Sequence, residues 1–205
     1  MIMKICLLLA MFGHMICGIT DCLMTYTPNG KFQFSDMQDP KKMSNTFEGM
    51  SLKNLRISIL LGVFALTLAF FGYLALGYWM SQFSEVYSKI MYISAILYVI
   101  SIVAHHVCCG TVEWFFVRLG RTEEALNAVL DFFKQTSITM YTGYIGLLVF
   151  AVSFFIAVVT GNTSLPWWAC IFNTFPLFII LAPFKIPAKG NIAGAIMFLG
   201  LLFMI

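Results

Sequence analysis

The feature that most constrains this chain is a succession of apolar runs, each close to the length of a helix that crosses a lipid bilayer. They extend over about 5–24, 55–80, 90–109, 136–160, 166–184 and 190–205. A helix needs about 20 predominantly apolar residues to span the hydrocarbon core. Charged residues make up 10% of the 205 residues, against about 25% in an ordinary soluble domain. Such a chain has too little polar surface to cover itself with, so lipid must cover it. The pattern predicts an all-α integral membrane helical bundle, a single domain over 1–205 with about six transmembrane helices.

The polar connections carry their own signals. Residues 25–54 hold the turn Pro28-Asn29-Gly30 and seven charged side chains, and are expected as an extramembrane loop too short for a core of its own. Thr122 stands before Glu123 and Glu124, as at a helix N-terminus. Leu126, Val129, Leu130 and Phe133 then recur at one-face spacing. An amphipathic interfacial helix over about 122–134 follows, lying at the membrane surface or packed under the bundle. Pro176 falls inside the fifth apolar run and predicts a kink there. Gly62 in the second run and the Gly190-x-x-x-Gly194 spacing that opens the last predict close helix packing. Six cysteines lie in apolar runs without a C-x-x-C pair, so neither a disulfide framework nor a thiol oxidoreductase is indicated.

Six helices put the connections after the first, third and fifth on one side. That side holds ten of the twelve Lys and Arg, and only Lys4 and Lys89 fall on the other. Basic loops stay cytosolic, so both termini are expected on the non-cytosolic face, and a C-terminal reporter found in the cytosol would reverse the topology. The formal net charge of +3 is small and dispersed, and gives no sign of nucleic acid as a partner.

Ionisable side chains inside a membrane are expensive and usually face a cavity or each other. Asp21 lies near the inner end of the first helix, and His105 and His106 lie near the inner end of the third. Arg56 begins the second helix at that depth, Tyr141 sits near the start of the fourth, and Glu113 follows His106 by two turns. Asp21, Arg56, His105, His106, Glu113 and Tyr141 are therefore the candidate residues of a polar vestibule under an apolar outer half. His106, Cys109 and Glu113 form a stripe at i, i+3 and i+7, which His14, Cys17 and Asp21 repeat on the first helix. His-x-x-Cys is not a specific ligand motif, so no metal is assigned, and no phosphate-binding, dinucleotide or hydrolase motif indicates a cofactor or a reaction. Three functions remain open: binding or conversion of a lipid-like or amphipathic small molecule, a structural or partner-binding subunit (including a homo-oligomer), and a small-solute or proton-coupled transporter.

Five short segments carry a family resemblance: the first helix ending near Asp21, Thr27-Pro28-Asn29-Gly30-Lys31, Leu55-Arg56-Ile57, Ala104-His105-His106 and Lys189-Gly190-Asn191. In their order the chain resembles an uncharacterised family of small bacterial multi-pass membrane proteins. The resemblance implies an inner-membrane location and supplies no activity.

Overall fold

The computed structural model describes residues Met1–Ile205. The chain is an all-α bundle whose long helices are α1 (Ile2–Thr25), α3 (Leu52–Met80), α4 (Glu85–Arg118) and α6 (Ile138–Val159). A short helix α2 (Pro40–Thr46) precedes α3, and α5 (Glu123–Thr136) meets α6 with only Ser137 between them. Two shorter helices, α7 (Thr174–Leu181) and α8 (Lys189–Met204), complete the chain. Four helical stretches, with α5 and α6 taken together, are long and apolar enough to cross a membrane.

Neighbours pack in the order α8, α1, α3, α4, α6, and α7 lies against both α6 and α8 to close the ring. Two apolar cores form inside it. One, of 20 buried residues, centres on Tyr73, Phe150, Phe154 and Phe198 and fills the end that holds both chain termini. The other, of 12 residues, lies at the opposite end and joins Met24, Leu55, Val112 and Phe116 to residues from the connections. The polar side chains treated below lie between these two cores.

The 25–54 segment is more ordered than a loop. Tyr26–Thr27 pairs with Gly30–Lys31 as a two-residue hairpin, a 3-10 turn covers Phe34–Gln38, and Asp39 caps α2 by accepting from the Lys41 and Lys42 amides. The expectation that it is too short for its own core holds only because the core is shared. Phe32, Met37, Met43, Phe47 and Met50 bury against Phe116 of α4 and against Leu126 and Val129 of α5. Thr122 caps α5 through its side-chain oxygen, which accepts from the Ala125 amide. At about 1.5 Å per residue, the 34 residues of α4 run roughly 50 Å. Its last turns, with Val112 and Phe116, form one wall of a cap made with the 25–54 segment and α5.

The fifth apolar run departs from the expected kinked helix. A 3-10 turn spans Trp167–Ile171, and α7 begins only at Thr174. The break falls at Asn173, whose side-chain oxygen accepts from the Phe175 amide while its NH2 donates to the Ala151 carbonyl of α6. Pro176 is then the third residue of a new helix, where a missing N–H costs no intrahelical bond. It does not kink a continuous one.

Candidate functional site

A cavity of about 550 Å³ lies between the two cores. Its walls come from α1, α3, α4, α6, α7 and the start of α8, and Lys31, Phe32 and Phe34 of the cap line it as well. Fourteen of its 24 lining residues are hydrophobic, so its polar groups stand in an apolar surround where electrostatic interactions are strong.

Of the six residues expected in a vestibule, four line this cavity: Asp21, His105, His106 and Glu113. Arg56 and Tyr141 do not. The buried face of α3 there is Leu55, Ser58 and Gly62, which turns Arg56 outward to a small groove with Thr111 and Trp114. Tyr141 is 57% exposed on the outer face of α6, and Tyr144, one turn on, lines the cavity.

Asp21 and His106 face each other, Oδ1 to Nδ1, at 3.5 Å. On its other side His106 Nε2 lies 3.1 Å from the Ser58 carbonyl oxygen. A carbonyl only accepts, so Nε2 carries the proton. The other Asp21 oxygen, Oδ2, accepts from the Asn191 side-chain NH2 at 2.8 Å. Asn191 must then present its oxygen to His14, whose Nδ1–H donates to it at 3.0 Å. His14 Nε2 is left as an acceptor and receives the Tyr73 hydroxyl at 3.1 Å. One line of hydrogen bonds thus runs from the upper core, Tyr73 to His14 to Asn191 to Asp21, and ends across a short gap at His106.

Space for both imidazoles comes from glycine. A Cβ on Gly194 would lie 2.5 Å from His14 Nε2, and one on Gly62 would overlap the His106 ring. The His14 ring also stacks on Phe198, with ring centroids 5.7 Å apart. Ser58 is held in turn by its hydroxyl, which donates to the Thr20 carbonyl of α1.

The stripe on α4 is intact, with His106, Cys109 and Glu113 all on the cavity wall. Glu113 is 5% exposed, and its Oε2 has no hydrogen-bond partner. His105 lies beside Cys109, with Nε2 3.4 Å from the sulfur. Lys31 and Lys189 stand at the rim and donate to the carbonyls of Lys185 and Ala182, which ties the α7–α8 connection over the cavity.

A model for a family described only as a family of unknown function, DUF6796, matches residues 1–205. The chain belongs to this family. No curated protein and no solved structure matches it.

Asn191 and His14 complete the hydrogen-bonded line and Cys17 lines the cavity, though none of them is among the six vestibule candidates; the sequence marked His14 and Cys17 only as a stripe with Asp21. Asn191 opens the last apolar helix at the depth of Asp21, and that depth is the sequence signal that places it. His14 is two turns from Asp21, about 10 Å along α1, and only a side chain from α8 joins them.

Proposed function

We propose that this chain is a six-pass inner-membrane protein, with its termini outside the cytosol, that binds an amphipathic, lipid-like small molecule in the cavity between its two cores. The observation that carries this reading is a cavity of drug-like size, apolar on most of its wall, with Asp21 and His106 facing each other on its wall and His105 lining it too. A ligand's polar end meets that group. Its apolar part lies along Met140, Tyr144, Leu147 and Phe178. Tyr144 lines the cavity and is 51% exposed. Entry from the bilayer runs between the neighbouring α6 and α7, past this half-exposed side chain.

Transport fits less well. A through path would have to part Tyr73, Phe150 and Phe198, which are all fully buried.

The test is thermal melting of the purified protein in detergent, with and without phospholipids and single-chain amphiphiles. One class is expected to raise the melting temperature of the wild type. Asp21→Asn and His106→Ala, which remove the polar contact, and Met140→Trp, which adds bulk on the apolar wall, should lose that shift while still folding. No shift in the wild type, or an equal shift in all four proteins, would sink the reading.

A further inference from the structure

The pairing of Asp21 with His106 leaves a physical problem. With Nε2–H committed to the Ser58 carbonyl, a neutral His106 turns its Nδ1 lone pair toward a carboxylate oxygen 3.5 Å away. Two acceptors that face each other in an apolar surround repel, so a cation belongs between them: a proton or a metal ion. A third group decides between these. The Cys17 sulfur, an Asp21 carboxylate oxygen and a His106 ring nitrogen all lie within 4.8 Å of one another. A thiol adds nothing to a shared proton, whereas a thiolate is a strong ligand for a transition metal.

The geometry points to a divalent transition-metal site of the zinc class, held by Cys17 Sγ, Asp21 Oδ1 and His106 Nδ1. Cys17 and Asp21 share one face of α1 at i and i+4, and His106 reaches them from α4. Two of the three coordinating groups already have the outer partner that metal sites use to orient their ligands. His106 donates its other ring N–H to Ser58, and Asp21 has its other oxygen fixed by Asn191. Charge favours the ion too. One thiolate and one carboxylate neutralise a divalent cation, so the occupied site has no net charge to bury in a membrane protein. Three protein ligands leave a fourth position for water or substrate, the pattern of catalytic zinc sites, and Asp21 and His106 both line the cavity. On binding, the Cys17 S–H bond breaks, the sulfur keeps the electron pair and donates it to the metal, and the proton leaves through the cavity to water. The site needs no amphiphile to form, so it stands or falls separately from the ligand reading.

Co²⁺ is the probe. The full chain, purified in detergent and stripped with a chelator, is titrated with Co²⁺ and followed by absorption. A single saturable site with a thiolate-to-cobalt charge-transfer band is expected, and Zn²⁺ should displace it. Cys17→Ser should abolish the band and His106→Ala should abolish binding, while Cys109→Ser, at the neighbouring thiol, should leave the band intact. Asn191→Ala, which frees Asp21 without removing a ligand, should weaken Co²⁺ binding roughly 10–100-fold. Absence of a thiolate band in the wild type, or a band that survives Cys17→Ser or vanishes in Cys109→Ser, would overturn the site. A Co²⁺ band in a protein that no amphiphile stabilises would keep the metal and remove the ligand.

Discussion

Asn191 does more than any other single side chain to join the polar groups, because its two ends face opposite demands. Its NH2 meets the acceptor-only carboxylate of Asp21 and its oxygen meets the His14 N–H. Leucine at this position would keep the volume and leave a buried donor on His14 without a partner. The expected cost is about 1–3 kcal/mol, measured by denaturation in detergent. Adding His14→Phe removes the stranded donor as well, so the double variant should be more stable than the sum of the two single effects. Strict additivity would mean that the bond from His14 to Asn191 contributes nothing. At this scale the sequence was legible where depth alone decides, as for Asp21 and His106, which counting along separate helices places at one level. It was not legible where helix rotation decides. Arg56 and Tyr141 have the right depth, but the buried faces of α3 and α6 are set by Ser58, Gly62, Gly143 and Leu147, and these carry both side chains outside. Nor does spacing along the chain reveal that α8 delivers the link between His14 and Asp21.

The helices are shaped around the site by a few positions that have no side chain or an unusual one. Gly62 lets α3 pass α4 with the His106 ring between them. Gly62→Ala should destabilise the fold by about 1–3 kcal/mol, the usual range for overpacking, and turn His106 away from the Ser58 carbonyl. Combining it with His106→Ala removes the ring that the new methyl meets, so the double variant should recover stability relative to Gly62→Ala. Failure to recover would show that the glycine serves backbone approach rather than the histidine. Small residues at 62 and 194 were readable as packing positions, but what packs there was not. The break before α7 was hidden for a different reason. Residues 166–184 are apolar in either conformation, so hydropathy cannot separate a straight helix from a broken one. The bond that stabilises the break, from Asn173 to Ala151, lies 22 residues apart in the chain.

On the scale of the molecule, the bundle is closed at one end and hollow toward the other. Burial of Tyr73, Phe150, Phe154 and Phe198 seals the end that carries the termini. At the opposite end the cap formed by the 25–54 segment and α5 shares a core with the ends of α1, α3 and α4, and the cavity lies between. The order of apolar runs made the helical bundle legible from the sequence. The cap was not, because its apolar residues are scattered singly among polar ones and acquire a core only by meeting α4 and α5. If the hollow region is a binding site, the protein should carry its ligand out of the membrane during purification. Native mass spectrometry of the detergent-purified wild type and of Met140→Trp tests this most directly. The wild type should retain one amphiphile per chain through gentle detergent removal, and the variant with the narrowed cavity should not. A wild type that emerges bare, or two proteins that retain the same adducts, would mean that the cavity is not where this chain binds an amphiphile.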